Sequence, residues 1–118
     1  MFNFEKLEVW KKAIGFADLV YVVARTFPSD ERSALTNQMR RAAASISSNI
    51  AEGTSRHSRD DHARFREIAT GSVFEVVSQS CIAQRQGCLS EDDRQRLFAA
   101  AEEQSRMLGG LRRSLGFG

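Results

Sequence analysis

Residues 7–27, LEVWKKAIGFADLVYVVARTF, decide the fold. Leu7, Trp10, Ile14, Ala17, Tyr21 and Ala24 recur at alternating spacings of three and four, the repeat of a single helical face. A second apolar row, Ala13, Phe16, Val20, Val23 and Phe27, runs beside the first. The combined stripe is wider than a surface helix of a small monomer needs, so part of it is expected to meet another subunit. The segment ends near Phe27 and Pro28, with a turn through Ser29 and Asp30.

The same period continues outward along the chain. Leu35, Met39, Ala42, Ala43, Ile46 and Ile50 predict a second helix, and Gly53 is placed to close it as a left-handed C-terminal cap. Its interior is mostly small: Ala42, Ala43, Ala44, Ser45, Ser47, Ser48 and Ala51 would let a neighbouring backbone approach closely. Ser58 with Asp61 three residues on signals an N-terminus. The helix it opens carries Phe65, Ile68, Val73, Val76 and Ile82 and stops near Gly87. At a rise of about 1.5 Å per residue, Arg59 to Gln86 would span roughly 42 Å. Ser90 with Asp93 repeats the signal before a fourth helix with Leu97, Ala101, Leu108, Leu111 and Leu115, a row interrupted by Gln104. Four helices on short connections predict an all-α, antiparallel up-down-up-down four-helix bundle. With no linker or internal repeat in view, residues 1–118 are read as one domain.

Composition excludes several classes. The 118 residues are 42% hydrophobic and 27% charged, with one proline, a balance that suits a folded core and not a collagen-like or disordered chain. The longest apolar run, Leu19 to Ala24, falls far short of the roughly 20 residues of a membrane span. No basic segment, apolar core and cleavage site open the chain, so the cytoplasm is the expected compartment. Two cysteines, Cys81 and Cys88, make no disulfide framework, and the histidines His57 and His62 lie in another region at a spacing that places them on no common face. Neither a metal site nor a cofactor site is expected. Asp60 and Asp61, like Glu91, Asp92 and Asp93, occupy a first helical turn, where the dipole favours carboxylates without any acid–base role. No nucleophile, base and oxyanion donors converge, so no enzyme is expected.

Three stretches carry a family resemblance: Phe4 to Ala13 (FEKLEVWKKA), Leu35 to Ala43 (LTNQMRRAA) and Ser48 to Gly53 (SNIAEG). They resemble the bacterial four-helix bundle proteins first named for intervening sequences of 23S ribosomal RNA genes. The likeness runs over nearly the whole chain, through Ala69 to Glu75 and the Gly87 to Ser90 turn. Three positions depart: Ser47 where the family often has proline, Thr54-Ser55 where it commonly has an aromatic residue or another glycine, and Val77 where it often has a carboxylate. The resemblance implies a homopentameric ring of bundles. It also implies kinship with an accessory protein of diversity-generating retroelements that binds its reverse transcriptase and nucleic acid.

Charge gives the candidate sites. The formal net charge is only +2, but fourteen of the seventeen basic residues are arginine, the side chain suited to bidentate contact with phosphate or carboxylate. Between Arg32 and Arg66, seven arginines face three carboxylates, a local excess of four. Arg56, Arg59, Arg64 and Arg66 are the candidate nucleic-acid contacts, which would be sequence-independent and salt-sensitive. Phe16, Phe27, Phe65 and Trp10 fall on core-facing positions and leave no stacking platform for bases. Arg40 and Arg41 sit away from the apolar centre of a helix lined with small residues. With Asn49 and Glu52 they are the candidate subunit interface, in which Arg41 and Glu52 would form a polar network between neighbours. The expected function is thus a non-enzymatic homo-oligomer that binds RNA or DNA. The alternative is a protein-interaction scaffold docking onto a partner such as a reverse transcriptase.

Overall fold

A computed structural model describes residues 1–28 and 33–114. Four helices fill them: α1 over Glu8–Ala24, α2 over Ser33–Thr54, α3 over Arg59–Arg85 and α4 over Glu91–Ser114. The expected turn residues Ser29 and Asp30, and Leu115 of the last apolar row, lie outside the described residues. The helices form an antiparallel bundle in which α1 packs on α2 and α4, and α3 packs on the same two. Among the described residues the backbones of the diagonal pairs, α1 with α3 and α2 with α4, stay further apart than those of neighbouring helices, so the four helices sit at the corners of a square. Its long dimension is 44 Å, close to the length of α3.

One core runs between the four helices. It is built from Ala13, Phe16, Val20 and Val23 of α1, Met39, Ala43 and Ile46 of α2, Ala69, Val73 and Val76 of α3, and Leu97 and Leu108 of α4. On α1 this is the second of the two apolar rows. Most of the first row stays at the edge: Ile14 and Tyr21 are exposed and Trp10 and Ala17 half-buried, while Ala24 is buried. Two residues assigned to the buried row of α3, Ile68 and Ile82, are also exposed. By helical-wheel geometry Ile68 sits about 140° and Ile82 about 180° from Val73, outside the stripe the other helices cover.

Gly53 corrects an expectation. It does not end α2 in a left-handed turn, because the helix runs through it to Thr54 and the only positive-φ glycine among the described residues is Gly87. Gly53 is buried where α2 meets the start of α3, and a Cβ there would stand 3.1 Å from the Cβ of Phe65. A close approach of two backbones, not a turn, explains the residue.

Both ends of α3 and the start of α4 follow their signals, while α1 stops at Ala24, three residues before Phe27. Ser58 Oγ accepts from the Asp61 amide at 3.0 Å and Ser90 Oγ from the Asp93 amide at 3.1 Å, satisfying donors that the first turn leaves open. Gly87, at φ +76°, closes α3. The Cys88 amide donates to the Ala83 carbonyl and the Gly87 amide to the Gln84 carbonyl, the paired bonds of a Schellman cap. Ahead of α1 a short 3-10 turn over Asn3–Lys6 packs Phe4 between Phe2, on which it stacks, and Trp10, to which it is tilted, with ring centroids 5.8 and 5.1 Å apart.

Candidate nucleic-acid interface

The turn from α2 to α3 gathers part of the predicted arginine group. Because Gly53 lets the first turns of α3 press against α2, Phe65 comes under the last residues of α2. Arg56 lies over one side of the Phe65 ring at 4.9 Å and Arg64 reaches the same ring at 5.7 Å. The ring itself is buried, so two guanidinium groups are held on an apolar base. Cation–π attraction helps to fix their position, and both side chains stay exposed. Arg56 also bonds the Glu52 carboxylate at 2.8 Å, one helical turn back. Arg59 and His57 are exposed at the same end of the bundle.

Arg66 is not in this group. Two residues beyond Arg64, it points to another side of α3 and is half-buried in a small cavity with Asn49, Thr54, His62 and Leu111. Its Nη1 is buried there without a hydrogen-bond partner. Counting charge along the sequence could not separate Arg64 from Arg66; the 200° between them on a helix does.

The four residues assigned to a subunit interface also divide. Arg40 is half-buried and lies over the Tyr21 ring at 5.2 Å, joining α2 to α1 within one chain. Asn49 Nδ2 donates to the Ser45 carbonyl at 2.8 Å and to Ser45 Oγ at 2.9 Å, and Ser45 Oγ lies 2.9 Å from Ser72 Oγ of α3. This polar chain ties α2 to α3 across the small-residue seam. Arg41 and Glu52 are both exposed on the outer side of α2, eleven residues and about 16 Å apart along the helix. They cannot touch within one chain. Arg41 borders an open groove with Gln38, Ser45, Glu75 and Gln79, while Glu52 pairs with Arg56.

An apolar groove between α3 and α4 was not foreseen. Phe74, 64% exposed, and half-buried Val77 and Phe98 line it, with Val73 and Ala101 beneath and Glu102 at the rim. Phe74 and Phe98 belong to no buried row in the sequence, and large apolar residues left over after the rows were assigned were the available signal. Among the described residues no three His, Cys, Asp or Glu side chains come close enough to hold a metal ion, and no helix is long and apolar enough to cross a membrane.

Residues 5–110 match the family model described as 23S rRNA-intervening sequence protein. Among solved structures, a protein of unknown function from the S23 ribosomal protein family of Bacteroides thetaiotaomicron superposes with a TM-score of 0.78 at 21% sequence identity. The match covers 87% of this chain and 96% of that one. At that identity the likeness concerns the fold. No curated protein matches the chain.

Proposed function

The chain belongs to the 23S rRNA-intervening sequence protein family, and from that premise we propose that it is a non-catalytic, self-assembling bundle, a homopentameric ring, that binds the phosphate backbone of RNA or DNA. The observation that carries the nucleic-acid reading is the pair of guanidinium groups, Arg56 and Arg64, seated on Phe65 with Arg59 at the same end. Guanidinium donors held in place on an apolar base lose less freedom when they meet a phosphate than arginines on an open surface. Glu52, Asp60 and Asp61 share this end, so the attraction of one chain for a polyanion is modest. Assembly multiplies it, because every copy adds its arginines to the same phosphate lattice.

Self-assembly is supported by Ile14, Tyr21 and Val22 of α1, apolar residues that the core leaves exposed.

Replacing Arg56, Arg59 and Arg64 together with glutamine tests the reading. The variant should keep the parent's assembled mass, lose affinity for all nucleic-acid sequences alike, and show a flatter dependence of log affinity on log salt. The slope should fall by about 0.9 for each duplex phosphate contact removed. Arg66 is left in place because its guanidinium is partly buried. If the triple variant binds as the parent does, or the parent binds neither duplex nor single strands at low salt, the nucleic-acid reading fails. The protein-interaction scaffold, docking onto a partner such as a reverse transcriptase, then takes its place.

A further inference from the structure

The 3-10 turn ahead of α1 carries an aromatic stack with one open face. Phe2 lies on Phe4 with the ring planes 10° apart, and Phe4 in turn packs on Trp10. Phe4 and Trp10 are half-buried, whereas Phe2 is 72% exposed, so the outermost ring presents a face to solvent. The backbone holds it in place: the Phe2 amide donates to Glu5 Oε1 at 2.9 Å, and the Phe2 carbonyl accepts from the Glu5 amide at 3.1 Å. The sequence predicts no stacking platform, because Phe16, Phe27, Phe65 and Trp10 fall on core-facing positions. Phe2 and Phe4 precede the first helix and belong to none of those rows.

Antiparallel packing brings the start of α1, the end of α2 and the start of α3 to one end of the bundle, and the 3-10 turn packs against α2 as well as α1. The open ring therefore stands at the end where Arg56 and Arg64 are seated on Phe65. Lys6, in the turn itself, is exposed there too. Three carboxylates of this end are engaged within the chain: Glu5 with the Phe2 amide, Glu8 with Lys11 at 3.3 Å and Glu52 with Arg56. Resting on the nucleic-acid reading above, we infer that the ligand is a single strand, with an unpaired base stacked on the open face of Phe2 and the neighbouring phosphates drawn to the guanidinium groups. Inside a duplex both faces of every base are already covered, so only an unpaired base, or a pair at a duplex end, can continue the stack. Cations alone attract one strand or two; the ring beside them is what selects the unpaired form. Because every base has a π-face, the contact is tolerant of sequence.

Phe2→Ala tests the contact, since it removes the ring and leaves every cation in place. Phe2 takes no part in the core, so helical circular dichroism and assembled mass should match the parent's. Fluorescence anisotropy with labelled oligo-dT and oligo-rU should show affinity lowered by about tenfold at every salt concentration, with the salt slope unchanged. Affinity for a long blunt duplex should stay at the parent's level. Phe2→Trp should keep the parent's affinity for single strands, and emission from the added indole should be quenched as oligo-dT saturates it. If Phe2→Ala binds single strands as the parent does, or loses single strands and duplex equally, the stacking contact is overturned while the nucleic-acid reading stands. A change in assembled mass would mean that another copy covers the ring, and overturns the contact as well. A parent that binds neither oligonucleotide nor duplex at low salt overturns the nucleic-acid reading itself.

Discussion

Gly53 and Gly71 occupy helical positions and predict opposite outcomes on substitution. A helix-interior glycine costs about 1 kcal/mol relative to alanine, so replacement should stabilise wherever space is free. At Gly71, in α3, a Cβ would meet nothing within 4 Å, and Gly71→Ala should raise stability by about 1 kcal/mol. At Gly53 the new Cβ would press on the Cβ of Phe65 at 3.1 Å. A Cβ cannot rotate aside, so backbone must move. Overpacking of that kind costs about 1–3 kcal/mol, and Gly53→Ala should be destabilising by about 1 kcal/mol after the propensity gain. Urea unfolding should show the midpoints moving in opposite directions at an unchanged slope. Gly53→Ala should also disturb the Arg56 and Arg64 contacts with Phe65, since all three depend on the same close approach.

Helix ends are where individual elements can be tested. Gly87 holds the left-handed conformation that closes α3, and Gly87→Ala should cost about 1 kcal/mol because a side chain is strained there. The start of α4 gives a pH dependence. Hydrogen bonds from Arg94 and then Gln84 hold the Glu91 carboxylate down to about 2, from an ordinary value of 4.5. A value depressed by folding contributes stability that is complete above the ordinary value and is lost as pH falls toward the folded one. The parent should therefore lose stability between about pH 4.5 and 2 in part through Glu91. Glu91→Gln should flatten that portion of the profile, read from urea midpoints across the acid range. Because the residue is exposed and salt-screened, the difference should shrink at high ionic strength.

For the whole molecule, coupling between folding and assembly gives a separate readout. If copies associate only when folded, the midpoint of thermal unfolding should rise with chain concentration. A midpoint that does not change with chain concentration would overturn the self-assembly reading. The same scale explains which rows were legible. The bundle could be read because every helix repeats apolar residues at three and four, and Gln104 could be read as an interruption. That Gln104 is nonetheless buried, its Nε2 donating to the Val9 carbonyl at 3.1 Å, depended on α4 packing against the start of α1. Two parallel rows on α1 satisfy the helical period equally well, so periodicity could not say which faces the core.

The sequence by itself determined the helices, their order and three of their ends, because these depend on interactions within a few residues: the 3.6-residue repeat, the serine caps at Ser58 and Ser90, and the glycine at Gly87. It also located the arginine-rich region and carried the family resemblance. Tertiary structure alone decided that Arg56 and Arg64 share Phe65 while Arg66 turns inward, that Gly53 is a point of contact, and that Phe74 and Phe98 border one groove. Each of these depends on how two helices are rotated about their axes and how closely they approach. That geometry is set by the fit of side chains from different helices, which no spacing along a single chain segment records.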